Sequence, residues 1–226
     1  PAARKGLRLV HDGGDFGAAV HRCTGVGKCL AAPGVGVMCP SFQATRDEKS
    51  STRGRARVLQ EMVDGRLVDG GWSSPEVHEA LDLCLSCKGC LGDCPTGVDM
   101  ATYKSEVLHQ TYKGRWRPRG HYLLGRLPMW AKLNAPFARL ANFSLRIPGV
   151  VHLVRWVAGV DQRRSLPQFA TRTFAKEMKG HTSPATGRPV LLWADSFAEY
   201  FSTAAGRSAV ELLEKSGFEV RFLERQ

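Results

Sequence analysis

The stretch Cys84-Leu-Ser-Cys87-Lys-Gly-Cys90-Leu-Gly-Asp-Cys94-Pro95 constrains this chain more than any other. It holds four of the seven cysteines, and three of them fall at three-residue intervals. The other three are Cys23, Cys29 and Cys39, and Cys39 is also followed by proline. Seven is odd, so complete disulfide pairing is excluded, and no secretory segment points to an oxidising compartment. Lone free cysteines are often just small buried apolar residues. That would explain Cys23 or Cys29 singly, but hardly four in register ahead of a proline.

The spacing C-x2-C-x2-C-x3-C-P is an iron–sulfur ligand pattern. Three closely spaced thiolates wrap a tight loop around one corner of an iron–sulfur cube. Gly89 and Gly92 are expected to let the backbone approach the sulfides, where amide N–H groups hydrogen-bond to them. In such runs the fourth cysteine ligates a different cluster. Cys39 is therefore expected to complete a 4Fe–4S cluster with Cys84, Cys87 and Cys90. Cys94 is expected to join Cys23 and Cys29 at a second site, where Val26 occupies the position of a middle ligand. Three thiolates suit a 3Fe–4S cluster. A 4Fe–4S cluster with a non-cysteine ligand and a site holding nothing remain alternatives. His21 is the one histidine near enough in sequence to be a further ligand. Zinc is the competing metal, although its knuckles usually pair two C-x2-4-C motifs across a longer spacer.

Composition is that of a folded globular protein, with 43% hydrophobic and 23% charged residues. The formal net charge of +11 raises nucleic acid or an anionic membrane as partner. Two anionic clusters would offset about four of those charges, so no nucleic-acid partner is expected. No apolar run reaches the ~18 residues of a membrane-spanning helix, and no secretory h-region opens the chain. These features predict a cytoplasmic location. Peripheral contact with the inner face of the membrane is the alternative. There is no GxGxxG after a strand, no Walker A sequence and no nucleophile–base pair, so no catalytic residue is expected.

The predicted fold class is mainly α: a helical ferredoxin-type iron–sulfur domain followed by a truncated α/β (βαβ) segment. Residues 1–113 are expected to form the iron–sulfur domain. A short helix is predicted around Phe16–Arg22 and another over 53–67, capped by Thr52 with Leu59, Met62, Val63 and Leu67 on one face. A third starts at Ser74-Pro75-Glu76 and runs through Val77, Leu81 and Leu83 into Cys84. A fourth runs from a cap at Asp99 to about Tyr112, with Met100, Tyr103 and Val107 together. Residues 114–186 are predicted to be a basic amphipathic connector, broken by Pro118, Pro128, Pro136 and Pro148. Its Trp116, Trp130 and Trp156 stand among arginines, either covering another domain or lying on a membrane. Residues 187–226 are read as strand Pro189–Ala194, helix Thr203–Ser216 and strand Phe218–Leu223, an α/β domain cut short by the chain end. The absence of a starting Met adds to the expectation that this is part of a longer protein.

The stretches Phe16–Cys23, Val37–Phe42, Ser51–Ala56, Leu81–Cys90, Cys94-Pro95 and Val98–Lys104 carry a family resemblance. They resemble the C-terminal iron–sulfur half of the large FAD-linked D-2-hydroxy-acid dehydrogenases, of the D-lactate and D-2-hydroxyglutarate type. Leu192-Trp-Ala-Asp-Ser-Phe197 is similar to the opening of that family's cysteine-rich α/β domain. The resemblance implies an electron-transfer module of an oxidoreductase, with FAD in a preceding oxidase module absent from this sequence. It also implies an acceptor such as a quinone or another carrier. Arg46 and the Ser51–Ala56 stretch would then dock the flavin module, or be a helix cap with solvated arginines. The first cysteine set also resembles the 3Fe–4S site of succinate dehydrogenase iron–sulfur subunits, but a longer gap separates Cys29 from Cys39, which leaves the cluster type open. One alternative is a separate iron–sulfur subunit of a quinone-linked dehydrogenase. The other is a zinc-stabilised nucleic-acid binder built on the Arg/Trp segment.

Overall fold

Ser, Asp and Pro residues punctuate the first half of the sequence, and the computed structural model starts most of its helices there at them. The structure describes residues 9–31, 34 and 36–223. The expected opening loop over 1–8 lies outside these. Among the described residues, six α-helices come first: α1 (Phe16–His21), α2 (Pro40–Thr45), α3 (Thr52–Asp64), α4 (Pro75–Asp82), α5 (Gly89–Asp93) and α6 (Met100–Thr111). The chain divides into two compact units, with the boundary between Trp116 and Arg117. Residues 114–116 thus go with the first unit, and the remaining connector and the tail share the second.

The caps explain the boundaries. The Asp15 carboxylate accepts from Gly17 N at the start of α1. Asp99 caps α6 by accepting from Thr102 N. Ser51, and not Thr52, caps α3, its hydroxyl accepting from Gly54 N at 2.9 Å. Each such cap is worth about 1 kcal/mol. α3 stops at Gly65, which takes the left-handed conformation at φ 66. Leu67 therefore lies beyond the helix and is 81% exposed, not on its buried face. α4 likewise ends before Cys84, and Leu83 is exposed.

The core of the first unit comes from one face of each helix. Phe16 and Val20 of α1, Ala56 and Leu59 of α3, Val77 and Leu81 of α4, and Tyr103 and Val107 of α6 pack together. Each large apolar side chain so buried contributes about 1.5–3 kcal/mol. The Tyr103 hydroxyl donates to the Ala19 carbonyl at 2.7 Å, tying α6 to α1. Gly54 is required by a close approach, because a Cβ there would stand 2.2 Å from the Glu48 carbonyl oxygen. That approach presses the start of α3 against the turn Glu48–Ser50.

The second unit contains α7 (Arg119–Leu123), α8 (Leu127–Asn134), α9 (Ala138–Ser144), α10 (Pro148–Ala158) and α11 (Phe174–Glu177). It continues with β1 (Pro189–Leu192), α12 (Ser196–Tyr200), α13 (Thr203–Lys215) and β2 (Glu219–Phe222). Pro118 is the N-cap residue of α7, while Pro128 and Pro148 fall in the first turns of α8 and α10, where a missing N–H is harmless. β1 and β2 pair in parallel, Pro189 opposite Glu219. Phe174, Val210 and Val220 form a small core beside them. Trp116, at the end of the first unit, and Trp156, on α10, are exposed. Arg119 lies 4.1 Å from the centre of the Trp156 ring, a cation–π contact within the second unit. Among the described residues, no helix is long and apolar enough to cross a membrane.

Candidate metal centre

Two cavities in the first unit contain all seven cysteines, and every one is a free thiol. Cys39, Cys84, Cys87 and Cys90 line the first, about 340 Å³ of space partly open to solvent. Cys23, Cys29 and Cys94 line the second, about 290 Å³. Met38 and Thr52 line both and so stand between them.

Local geometry brings these distant stretches together. Cys39 is the N-cap residue of α2, with Pro40 as the first helical residue. Asp93, at the end of α5, accepts from Val37 N at 2.7 Å and from Met38 N at 3.1 Å. That carboxylate fastens the Cys39 stretch to the end of the cysteine run. α6 braces the other side of the run. Lys104 Nζ donates to the Cys84 carbonyl at 2.8 Å, and Lys88 pairs with Asp99 at 2.7 Å. The tight turn of the run is made without positive φ at Gly89 or Gly92. Ser86 and Lys88 take the left-handed conformation, at φ 53 and φ 59. Gly89 serves close packing, since a Cβ there would meet Val37 Cγ2 at 3.0 Å. Nothing lies near a Cβ at Gly92.

The sulfurs are held by donors. Met100 N, at the start of α6, donates to Cys90 Sγ at 3.4 Å. Arg53 N, in the first turn of α3, donates to Cys29 Sγ at 3.3 Å. Arg55 Nη1 donates to Cys39 Sγ at 3.4 Å. Helix N-termini of this kind carry partial positive charge and favour anions. Burial raises the Cys90 thiol, with the Met100 N–H opposing it. Burial also raises Cys29, against hydrogen bonds from Arg53 and Ser51. At Cys39 burial pushes up, but hydrogen bonds with Ser41 and Thr52 and the Arg55 charge outweigh it, leaving the thiol below its usual value. At Cys94 burial is likewise outweighed, by hydrogen bonds with Thr96, Val98 and Gly97.

The donor set fits an iron–sulfur cluster. Lys88 and Arg55 line the first cavity, Lys28 and Arg53 line the second, and neither lining includes an Asp or Glu. Two cations and no carboxylate suit an anionic cage of iron, sulfide and thiolate. Among the described residues, no three or more His, Cys, Asp or Glu side chains are gathered closely enough for a single metal ion. A four-thiolate zinc site would need that convergence, with Zn–S near ~2.3 Å. Val26 lines the second cavity beside its three thiols and is 64% exposed. His21 does not join them. Its Nδ1 bonds the Gly17 carbonyl at 2.7 Å and its Nε2 lies 3.9 Å from Asp64.

Two contributors escape a reading of the sequence. Asp93 looks like filler within the cysteine run, and nothing local signals its bonds to Val37 and Met38. Arg55 reads as one of several solvated arginines, yet it is 1% exposed. The run Arg53, Arg55, Arg57 on a helix does turn its middle member away from the other two, and that periodicity is the available signal.

The geometry thus gives two cysteine-lined, cation-rimmed cavities whose donors fit iron–sulfur clusters, and comparison with known proteins points the same way. The family profile of the 4Fe–4S dicluster domain matches residues 19–98. The D-2-hydroxyglutarate dehydrogenase of Pseudomonas putida is 27% identical over 91% of this chain and 24% of its own length. That of Escherichia coli is 26% identical over 87% of this chain and 24% of its own length. The glycolate oxidase iron–sulfur subunit of Escherichia coli is 33% identical over 34% of this chain and 16% of that subunit. No solved structure matches. The chain carries a 4Fe–4S iron–sulfur domain homologous to those of D-2-hydroxyglutarate dehydrogenases and glycolate oxidase iron–sulfur subunits. It spans about a quarter of the length of the dehydrogenases it matches.

Proposed function

We propose that this chain is the electron-transfer region of an FAD-dependent D-2-hydroxy-acid dehydrogenase. The observation that carries the proposal is the single cavity lined by Cys39, Cys84, Cys87 and Cys90. These four would hold a 4Fe–4S cluster. Cys23, Cys29 and Cys94 would hold a second centre, 3Fe–4S where no fourth protein ligand is supplied. A bound cluster supplies one-electron exchange, and FAD in a neighbouring module supplies the two-electron oxidation of the hydroxy acid. The chain's own part is to seat the thiolates, donate N–H groups to their sulfurs and limit water, which together tune the potential.

In this reading residues 1–113 are the iron–sulfur domain and 114–186 the basic connector. Residues 187–226 form an α/β segment. The partners are the flavin module and a downstream acceptor such as a quinone, in the cytoplasm or at the inner face of the membrane. The similarity to glycolate oxidase iron–sulfur subunits supports a second arrangement, in which the same centres lie on a subunit separate from the flavin.

The test is anaerobic addition of a D-2-hydroxy acid to the full-length, flavin-loaded protein. Cluster absorbance should bleach and the paramagnetic signal of a reduced cluster should appear. Flavin reduction beside clusters that stay oxidised would overturn the proposal.

A further inference from the structure

Arg55 is a cation buried where a cation needs a reason. It is 1% exposed. Nε donates to the Ala80 carbonyl at 2.8 Å, Nη2 to the Ser41 hydroxyl at 2.8 Å and Nη1 to Cys39 Sγ at 3.4 Å. No carboxylate is among these partners, and none lines the adjoining cavity. A guanidinium keeps its proton, so burial cannot neutralise it as it would a lysine. A buried charge must then meet opposite charge or carry a heavy desolvation cost. Ala80 lies in the last turn of α4, whose carbonyls offer only a partial negative charge. Ser41 offers none. Of these three partners, the Cys39 sulfur alone can carry full negative charge, as a thiolate.

The second cavity has no such arrangement. Cys29 receives a backbone N–H from Arg53, whose guanidinium pairs with Glu48 at 2.7 Å and is partly exposed. A buried guanidinium bonded to a cysteine sulfur, with no carboxylate among its hydrogen-bond partners, is thus found at the four-thiol cavity and not at the other.

We propose that Arg55 is a positioning residue that tunes the redox centre at Cys39, Cys84, Cys87 and Cys90. Its fixed positive charge stabilises the reduced, more negative state over the oxidised one. This rests on the iron–sulfur reading above.

The test is an anaerobic redox titration of the full-length protein, followed by electron paramagnetic resonance, with iron and sulfide measured alongside. Wild type is compared with Arg55→Lys and Arg55→Gln. In Arg55→Gln the one-electron reduction constant of one centre should fall about tenfold, a midpoint lower by about 59 mV, while the other centre stays put. Arg55→Lys should recover most of that shift. Loss of iron in Arg55→Gln with retention in Arg55→Lys would also support the role of charge. An iron-loaded Arg55→Gln with an unmoved midpoint would overturn the proposal, as would equal loss of iron from both variants, which marks a purely structural clamp. A wild-type protein without iron or sulfide would instead overturn the iron–sulfur reading, and this inference with it.

Discussion

The two cysteine cavities share a wall yet differ in completeness. The first is lined by four thiols, with Cys39 and Cys90 buried and a buried guanidinium behind Cys39. The second is lined by three thiols, with glycines at positive φ on both sides of an exposed Val26. Both are served by the first turns of α3: Arg53 N reaches Cys29, and Arg55 reaches Cys39. One helix start thus supplies a donor to a sulfur of each cavity. Thiol count, four against three, and the buried guanidinium then set them apart.

The largest expected effect comes from removing a thiol. Cys87→Ser should empty the four-thiol cavity and spare the other, so that about half the iron and sulfide per chain disappears, as read by chemical analysis. Equal loss from both cavities would show that they are not independent. Asp93→Ala should loosen both together, because its carboxylate joins the Cys39 stretch to the end of the cysteine run. Losing a charged acceptor of two N–H bonds should cost about 2–3 kcal/mol, read as a lower urea midpoint. Gly54→Ala should cost about 1–3 kcal/mol by forcing α3 away from the Glu48 carbonyl. Thermal unfolding measures that, and an unchanged midpoint would mean the helix start can shift freely. Val26→Cys should barely alter stability, by less than about 0.5 kcal/mol. It sharpens the contrast most, because a fourth thiol should raise iron by about one per chain and give the second centre a four-iron spectrum. An unchanged iron count would remove the three-iron reading.

The helices are legible in the sequence where their caps are local. Asp99 before Met100 and Pro75 after Ser74 mark helix starts by chemistry that needs no tertiary contact. Ser51 and Thr52 are adjacent hydroxyl residues, and propensity alone does not choose between them. Leu67 is misplaced when a periodic apolar pattern is carried past Gly65, whose left-handed φ ends α3. At the site, the repeat of Cys followed by Pro makes Cys39 and Cys94 stand out. The turn of the cysteine run places positive φ on Ser86 and Lys88, which no local signal in the sequence marks. Arg55 and Asp93 act through residues far away in sequence, and their roles arise only when α3, α5 and the Cys39 stretch meet.

The most direct measurement of the central claim is iron and acid-labile sulfide in anaerobically purified Cys39→Ser beside wild type. Wild type should hold about four or more of each per chain, and Cys39→Ser should lose the same share as Cys87→Ser. Full iron retention in Cys39→Ser, or a wild type holding zinc without sulfide, would contradict the account.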